Sequence, residues 1–423
     1  MKLSESRVTS KVNMSIPSLK NVGIPVFITP FALSPRNAIG VQVMNFSRLW
    51  SQPWSHCYWD TCTGVSTEKN SVLLKSSIPH RWPFDIGRGF VGRQVERMNL
   101  CWWKGDRLLE KRKSGLARLF RNSTVAYVAP LSARDAVRSV EVLQVLNIPY
   151  VVHLWDVCDD GLCRNVHEYR ELLNSSEHIF CVSSAIESDV KKISAKPVSV
   201  LSFTRPDALF RATEPLGEEL RIAILGHVAP YKHGLRMLES ALPSLEQVFS
   251  KTSILYIGAD EQAAMLPESL RRITTTTGFV DDATRDRFLA NCNVGFLPGP
   301  LLDTTDDRSR HSIPSRIADY YSVGLPVVAA VYEGSATNRQ FESLRGAAFQ
   351  RTSNPSELLS ALTAIKDETL WRQASQNARK CFVETMSEEV VLGHLESVIA
   401  KLINNDDAGC NATTLPTDES ASQ

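Results

Sequence analysis

The feature that most constrains the fold is an alternation of short apolar segments with longer amphipathic ones, which runs through the chain twice. In the first run, STVAYVAPL precedes ARDAVRSVEVLQVLN and then IPYVVHLWDV; in the second, LRIAILG precedes HGLRMLESALPSLEQVF and then TSILYIGAD. Short apolar runs are typical of buried strands, and apolar positions spaced three and four apart are typical of helices. Strands that alternate with helices favour a parallel sheet covered on both faces, so the sequence predicts an α/β protein.

A proline-containing segment of mixed charge, FTRPDALFRATEPLGEE, separates the two runs. It favours two Rossmann-like domains, residues 21–204 and 216–385, over one large doubly wound domain, which the alternation alone would also allow. Residues 1–20 are polar and aperiodic, which predicts a loose N-terminal segment. The last predicted helix, 386–404, could cross back to the N-terminal domain, and the polar tail 405–423 is predicted to be disordered.

Composition argues against several classes of protein. Lys and Arg number 47 against 46 Asp and Glu, so no global positive field favours nucleic acid as a partner. No long apolar run predicts a membrane-spanning helix, and the N-terminal segment lacks the apolar core of a secretory signal. The nine cysteines lack zinc-site spacing and are expected to be reduced thiols in a cytoplasmic protein.

The stretch 79–121 is rich in tryptophan, arginine and lysine, and two interpretations stay open for it. Basic and aromatic side chains together are typical of a surface that touches a membrane interface or a lipid-linked acceptor. On that interpretation the protein would be peripheral at the inner face of the membrane. Equally, the tryptophans could pack in the core while the cations form a solvated face.

The segment IPSRIADYYSVGLPVVAA, residues 313–330, carries the strongest pattern for a binding site. Pro314 can end the preceding loop, Ser315 can cap a helix, and Gly324 can end that helix before a buried strand. A helix N-terminus at the mouth of a parallel sheet favours phosphate, because unpaired N–H groups and the helix dipole attract anions. Asp319 lies one turn further on and could accept hydrogen bonds from ribose hydroxyls. The alternative is an ordinary capped helix with a solvated Asp.

A second segment, RIAILGHVAPYKHGLRMLESAL at 221–242, predicts a phosphate-contacting loop between a strand and a helix. Gly226 permits close approach of the backbone, and Lys232, in the loop with His227, can neutralise phosphate charge. A single Gly–Lys loop is a weak pattern, and a surface lysine after a turn is the competing interpretation.

These two segments resemble the group 1 glycosyltransferases of the GT-B fold, often filed as family 4. Gly226 and Lys232 stand where that family has Gly and Lys, while His227 takes the place of its usual Arg. The helix and the following GLPVV also match: Asp319 falls on the second of the family's two acidic positions, and His311 on the first. PSRIADYY is close to the Pro-Ser-Lys variant of many bacterial members.

The N-terminal half carries looser parts of the same resemblance. HIFCVSSAIESDV looks like the family's strand ending in Val-Ser, and FTRPDALF looks like its linker. In YVVHLWD, Trp155 occupies the place of the family's His and Asp156 that of its Asp, with His153 two residues earlier. The resemblance covers residues 20–405, and its specific motifs lie within 180–330.

The resemblance implies a GT-B protein, in which two Rossmann-like domains face a central cleft. It implies a nucleotide diphosphate sugar as donor substrate, and a glycan, a lipid-linked sugar or a small molecule as acceptor. It also implies transfer with retention of the anomeric configuration and without a metal, because helix dipoles and basic side chains can stabilise the departing diphosphate. No other cofactor is expected. The acidic stretch DTTDDR at 303–308 lacks the glycine turn of a calcium loop and is expected to be a solvated loop.

Roles for individual residues follow from the resemblance. Lys232, the N–H groups around Ser315 and, unless it is only a surface cation, Arg316 would hold the diphosphate, and Asp319 the ribose. The expected donor-binding set is Gly226, His227, Lys232, Ser315, Arg316 and Asp319.

A second set is expected on the catalytic and acceptor side. His311 would contact sugar hydroxyls in place of the usual Glu, and Gly40, in the loop before the first helix, would let the backbone approach a substrate. His153 or Asp156 would face the acceptor from the carboxyl end of a strand, although His153 could equally be a core histidine.

Two other functions stay open. A nucleotide-sugar 2-epimerase has the same fold, but it would need more acidic and histidine groups than the sequence places in the cleft. A catalytically weak GT-B module that binds partner enzymes or glycans is favoured by His311 at a position where Glu is usual.

Overall fold

The computed structural model describes residues 24–30, 38–47, 54–58, 71–73, 115–155, 166–212, 217–299, 311, 313–345 and 349–410. These residues form two parallel β-sheets flanked by helices, so the predicted α/β class is confirmed. The first sheet contains β1 (Ile24–Ile28), β2 (Ser55–Tyr58), β3 (Ser71–Leu73), β4 (Ser123–Val128), β5 (Tyr150–Leu154), β6 (His178–Cys181) and β7 (Val198–Val200). The second sheet contains β8 (Glu219–Leu225), β9 (Lys251–Ile257), β10 (Thr274–Thr276), β11 (Val294–Pro298), β12 (Val327–Ala330) and β13 (Phe349–Thr352).

The helices lie between and after these strands. Those of the first half are α1 (Ala38–Ser47), α2 (Ala133–Leu146), α3 (Val166–Asn174) and α4 (Ser184–Val190). Those of the second half are α5 (Lys232–Val248), α6 (Asp260–Ala263), α7 (Glu268–Arg272), α8 (Asp282–Ala290), α9 (Arg316–Ser322), α10 (Ala336–Arg345), α11 (Pro355–Ala364), α12 (Glu368–Thr385) and α13 (Glu388–Cys410). A 3₁₀ turn, Ala229–Tyr231, leads directly into α5.

Both sheets are doubly wound. The strand order is β3-β2-β1-β4-β5-β6-β7 in the first sheet and β10-β9-β8-β11-β12-β13 in the second. In each sheet the first strand, β1 or β8, lies inside the sheet. The next two strands in the chain add on one side of it, and the strands from β4 or β11 onward add on the other side. Ligands of such sheets bind beyond the carboxyl ends of the strands where the order reverses, which here means beside β1 and β4 and beside β8 and β11.

Successive strand residues point to opposite faces of a sheet, and in this fold helices cover both faces, so both sets of side chains are buried. In β5, Val152 and Leu154 pack in a core with α2 and α3, whereas Val151 faces a second core with α1 and α13. The near-continuous apolar character of the strands follows from this two-sided burial.

The chain passes between the sheets twice, and the two passages lie side by side. Leu201 packs in the core of the first sheet, whereas Ala208 already packs in the core of the second. At the second passage, Ser387 between α12 and α13 forms a parallel bridge with Arg205. Helix α13 returns to the first sheet, on which it packs Val391, Leu392, Leu395 and Ile399.

Some boundaries differ from those expected. Helix α1 begins at Ala38 rather than after Gly40. The last helix, expected at 386–404, begins at Glu388, because the Ser387 N–H bonds to the Phe382 carbonyl and ends α12 before α13 starts. Helix α13 then continues to Cys410, into the tail that was expected to be disordered.

Several expectations concern residues that the structure leaves undescribed. The N-terminal 1–20, the final 411–423, the acidic stretch 303–308 and most of the basic, aromatic stretch 79–121 lie outside the described residues, as does Asp156. Within the described part of the chain, no helix combines the length and the apolar character needed to cross a bilayer.

Candidate functional site

The loop after β8 lies at the reversal point of the second sheet, and its backbone is tightly held. Gly226 has a φ of +71°, which side-chain-bearing residues rarely adopt, so the turn requires glycine. Its N–H donates to the Ile257 carbonyl (2.8 Å), and its own carbonyl accepts from the Tyr256 hydroxyl (2.6 Å). Both partners belong to β9, so a ligand at this edge would meet a backbone of fixed shape.

Arg316, the first residue of α9, reaches across to this loop. Its Nη1 donates to the carbonyl of Leu225 (2.7 Å) and its Nη2 to that of His227 (3.2 Å). The guanidinium also lies over the Tyr231 ring, 5.2 Å from its centroid. Among the described residues no carboxylate pairs with Arg316, so carbonyl dipoles and an aromatic face are all that offset its charge there. An anion at this edge would meet a fixed cation.

His227 lies beside that cation. Partial burial and the charge of Arg316 lower the pKa of His227. Its imidazole is therefore neutral near pH 7, and it can offer a bound ligand one donor or one acceptor. The family that the sequence resembles usually has Arg at this position, whereas this chain has His227 beside Arg316.

Lys232 is the first residue of α5 and is exposed. It lines a groove of about 350 Å³ along the outer side of that helix with Arg236, Glu239 and two residues of the loop before α7. The structure therefore places Lys232 at the carboxyl edge of the second sheet, where the site was expected. Its side chain lies beside Arg236 and takes no part in the hydrogen bonds between Arg316 and the β8 loop. Its expected role as a phosphate ligand stays a prediction.

Ser315 does not cap α9 as expected, and two N–H groups of the anion site expected at the start of this helix are occupied. Its backbone is already helical (φ −58°, ψ −27°), and its side chain makes no capping hydrogen bond. The N–H groups of Ile317 and Ala318 are bonded to the carbonyls of Pro314 (3.2 Å) and Ser315 (3.0 Å). Because a tight turn has used these donors, they are not free for a phosphate.

Tyr320 is a structural residue that sequence reasoning missed. Its hydroxyl accepts from the Leu225 N–H (3.1 Å) and lies within hydrogen-bond distance of the carbonyls of Ala223 (3.2 Å) and Phe296 (3.3 Å). The ring occupies the space that a side chain at Gly295 would need, since an added Cβ would stand 2.7 Å from the ring. Tyr320 thus joins β8 and β11 under the site, and the consecutive tyrosines in ADYY were the available signal.

Asp319 lies within a network of ion pairs. Its Oδ1 accepts from Arg205 Nη1 (3.0 Å) and lies 3.3 Å from Arg285 Nε. Arg205 Nη2 in turn donates to Asp286 Oδ1 (2.6 Å), and Arg285 Nη2 lies 2.9 Å from Asp282. Burial would lower the pKa of Arg285, but the surrounding carboxylates, Asp319 first among them, raise it. The ribose contact expected for Asp319 stays a prediction, because the structure shows its carboxylate engaged by two arginines.

His311 contacts the N-terminal domain. Its Nε2 lies 2.8 Å from Asp189 of α4, and its carbonyl accepts from the Ser183 hydroxyl (2.5 Å). Burial alone would raise the pKa of Asp189, but hydrogen bonds and charge from Lys192 and His311 lower it. These contacts join the two domains, a role that sequence reasoning did not assign to His311. Its expected contact with sugar hydroxyls stays a prediction.

His153 lies in the core, which was the alternative to an acceptor-side role. It is 0% exposed, and its two ring nitrogens lie 2.6 Å from the Tyr127 hydroxyl and 3.2 Å from the Leu201 carbonyl. The rings of Phe46 and Trp155 pack against it. Burial lowers the pKa of His153 from 6.5 to about 3, so the ring is neutral. The expectation that it faces an acceptor is wrong, because both ring nitrogens and both faces are occupied by the protein.

Gly40 lies inside the first turn of α1 rather than in the loop before it. It is still at the carboxyl edge of the first sheet, since α1 follows β1 directly.

A cavity of about 340 Å³ opens between the two domains and is lined from both sides, with Ser184 and Ser202 from the first half and Arg339 from the second. Among the described residues, no cluster of three or more His, Cys, Asp or Glu side chains is placed to hold a metal ion.

Comparison with known proteins identifies the fold. No protein-family model and no curated protein matches the chain. Among solved structures, HepE of Anabaena in complex with UDP superposes with a TM-score of 0.64 at 13% identity, covering 89% of this chain and 100% of that one. Sucrose-phosphate synthase of Thermosynechococcus elongatus gives 0.63 at 12% identity, covering 90% of this chain and 100% of that one. A glycosyltransferase of Rickettsia africae gives 0.59 at 10% identity, with 90% and 99% covered.

The chain has the GT-B fold. The two doubly wound domains implied by the sequence resemblance are confirmed. In the GT-B framework, the β8 loop and Arg316 lie at the ligand edge of the second domain. The contacts of His311 and the passages near Arg205 are what join that domain to the first.

Proposed function

We propose that this protein is a glycosyltransferase that moves a sugar, with hexoses as the first candidates, from a nucleotide diphosphate sugar to an acceptor hydroxyl. Similar GT-B structures include HepE with UDP and with UDP-glucose, and sucrose-phosphate synthase, which supports a nucleotide-sugar donor. The acceptor classes in the proposal are a glycan, a lipid-linked sugar or a small molecule, with polysaccharide biosynthesis in the cytoplasm as the setting.

The observation that carries the proposal is the arrangement of Arg316 with the β8 loop. Arg316 is held by two carbonyls, so its position is fixed before any ligand arrives. Gly226 has no side chain to keep a ligand away from the backbone at the same edge. A preorganised cation beside an accessible backbone is suited to a diphosphate, which carries charge that grows as the glycosidic bond breaks.

In the proposed reaction, the bond between the anomeric carbon and the diphosphate oxygen breaks, and a bond to the acceptor oxygen forms. The nucleoside diphosphate leaves with the bonding electrons, and its departing oxygen, or solvent, takes up the proton that the acceptor hydroxyl loses. Arg316 would stabilise the negative charge on the leaving group, in the low-dielectric setting that a closed interdomain cleft provides. Retention of configuration and independence from metal are part of this proposal, on the strength of the family resemblance.

Calorimetry with UDP, after a thermal-shift screen of nucleotide sugars, tests donor binding, because a ligand of the folded state raises its stability by mass action. Arg316→Ala should weaken diphosphate binding by about 1.5–3 kcal/mol, the range for a hydrogen bond to a charged group. Lys232→Ala should have an effect in the same range if Lys232 reaches the diphosphate, and unchanged affinity would remove it from the site. Arg316→Lys keeps the charge but loses the planar guanidinium with its two donor groups, so its affinity for the diphosphate should lie between those of wild type and Arg316→Ala.

The matched control is Lys251→Ala. Lys251 is exposed and begins β9, so it lies at the amino edge of the same sheet, opposite the site. Its removal changes net charge as Lys232→Ala does, but should leave affinity unchanged. If Lys251→Ala weakens UDP binding as much as Arg316→Ala, the loss reflects general charge and the proposed site is wrong.

A binding module with weak catalysis is the second candidate, and two observations favour it. His311, at the first of the family's acidic positions, contacts Asp189, and Oδ1 of Asp319, at the second, is paired with two arginines. Measured release of nucleoside diphosphate from a bound donor, with and without acceptor, separates the two functions. Donor binding without any turnover across a panel of acceptors would favour the module.

A further inference from the structure

Arg205 is the residue through which the donor-site helix is connected to the passage between the domains. Thr204, immediately before it, is held by the first domain: Gln42 accepts from its N–H (2.9 Å) and donates to its carbonyl (2.8 Å), and Asn45 donates to that carbonyl (3.0 Å). Arg205 itself is held by the second domain through Asp286 and Asp319. Thr204 is therefore held by the first domain and the next residue, Arg205, by the second.

The Arg205 guanidinium is buried, and each of its nitrogens has a partner. Nη1 donates to Asp319 (3.0 Å), Nη2 to Asp286 (2.6 Å) and Nε to the Pro206 carbonyl (3.3 Å). Asp286 is only 2% exposed, and its second oxygen accepts from the Leu209 N–H. An arrangement this complete fixes the direction in which the Asp319 carboxylate points.

The direction of Asp319 matters because Arg316 precedes it by three residues on the same helix. Side chains at this spacing are neighbours, so an acidic and a basic residue there can pair. Here they do not: Asp319 turns toward Arg205 and Arg285, while Arg316 turns toward the β8 loop and Tyr231. A competing attraction holds the carboxylate away from the cation that the proposed diphosphate site uses.

We propose that Arg205 is a positioning residue for diphosphate binding: by holding Asp319, it prevents the carboxylate from neutralising Arg316. This rests on the proposed function for the identity of the ligand, but the arrangement itself belongs to the free protein. Without Arg205, Asp319 swings toward Arg316, draws it from the Leu225 and His227 carbonyls, and leaves a negative charge beside the anion site. Arg285 remains 3.3 Å from Asp319, but its buried Nε makes no hydrogen bond, whereas every guanidinium nitrogen of Arg205 does.

Calorimetric titration with UDP and UMP tests the proposal. Arg205→Gln should weaken UDP binding by about tenfold, the effect expected from one added unit charge within about 8 Å at an intermediate effective dielectric constant. UMP should be affected less, because it carries less charge. Arg205→Gln/Asp319→Asn should bind UDP within about threefold of Asp319→Asn alone, since the competing charge is absent from both variants.

The matched control is Arg211→Gln, which removes another arginine of the same linker. Arg211 pairs with Asp207 at the surface and does not touch Asp319, so UDP affinity should be unchanged. If Arg205→Gln folds poorly because Asp286 is left buried without its partner, Asp286→Asn is added to both Arg205 variants. Unchanged UDP affinity in Arg205→Gln, or a further large loss when Arg205→Gln is added to Asp319→Asn, overturns the proposal. A loss of affinity in Asp319→Asn alone would show that Asp319 also contacts the nucleotide directly, and the comparison of the double variant with Asp319→Asn still decides the positioning role.

A crystal structure of Arg205→Gln gives a test that needs no ligand. The expected result is an ion pair between Asp319 and Arg316, with Arg316 withdrawn from the β8 loop. An Asp319 carboxylate that keeps its wild-type direction would refute the positioning role. If the wild-type protein binds neither UDP nor any nucleotide sugar, the proposed function fails, while this structure still decides whether Arg205 controls Asp319.

Discussion

Replacement of His153 by Phe tests whether this histidine belongs to the core or to an acceptor site. In the folded protein burial keeps the ring neutral, with a pKa of about 3 against 6.5 for an exposed histidine. As pH falls below about 6.5, the unfolded chain takes up a proton at this position and the folded protein does not. The stability that His153 provides is therefore fully present above about pH 6.5 and is lost progressively as pH falls toward about 3.

The size of the effect follows from the shift. Each pKa unit corresponds to about 1.4 kcal/mol, so a test at about pH 4.5, two units below the unfolded value, should show a loss of about 2–3 kcal/mol from His153 alone. His153→Phe should remove that part of the pH dependence. At about pH 7.5 the variant should retain donor turnover within about threefold, whereas loss of a catalytic base would cost about 10²–10⁴-fold.

Urea unfolding at about pH 7.5 and pH 4.5, for wild type and variant, measures the difference directly. His178 and His394, whose pKa values burial also lowers, are present in both proteins and cancel in the comparison. His167→Phe, at an exposed position of α3, is the control for replacing a histidine by phenylalanine as such. If the Tyr127 hydroxyl, left without its partner, prevents folding, Tyr127→Phe/His153→Phe removes both polar groups. An identical pH dependence in wild type and variant, together with a large loss of turnover, would refute the core assignment.

Two further predictions concern packing and chemistry. Gly295→Ala should lower the free energy of unfolding by about 1–3 kcal/mol, because the new Cβ would stand 2.7 Å from the buried Tyr320 ring; an unchanged urea midpoint would show that the ring can move aside. Transferase activity should survive excess chelator, since the proposed leaving-group stabilisation relies on Arg316 and backbone dipoles; loss of activity with rescue by magnesium or manganese would contradict metal independence.

The elements that sequence reasoning found and those it missed differ in a physical way. Central strands such as β4, β8 and β12 are buried on both faces, so they appear in the sequence as continuous apolar runs. The missed strands β10 and β13 lie at the edges of the second sheet and read TTT and FQRT, without an apolar pattern. An edge strand is specified by the neighbour it pairs with, which a local pattern does not reveal.

The candidate site divides in the same way. Gly226 could be anticipated because a strand followed by a glycine turn and a helix is a local pattern, and the structure shows the positive φ that requires it. That Ser315 does not cap α9 could not be anticipated. Whether a serine side chain caps a helix depends on its own φ and ψ, which are already helical at Ser315. Arg205 gave no signal at all, since a single arginine in a proline-containing linker has no pattern to mark it.

The sequence by itself determined that the chain alternates strands and helices in an α/β fold, because strand and helix periodicity is a local property of the order of apolar residues. It also indicated the glycine turn after β8, where the structure shows a positive φ at Gly226. Only the tertiary structure decided which charges meet. Arg205 finds Asp286 and Asp319 across separations of 81 and 114 residues. His153 loses its charge because Tyr127, Leu201 and helix α13 close around it. Burial and ion pairing depend on groups brought together from distant parts of the chain, and they set the charge and direction of each side chain at this site.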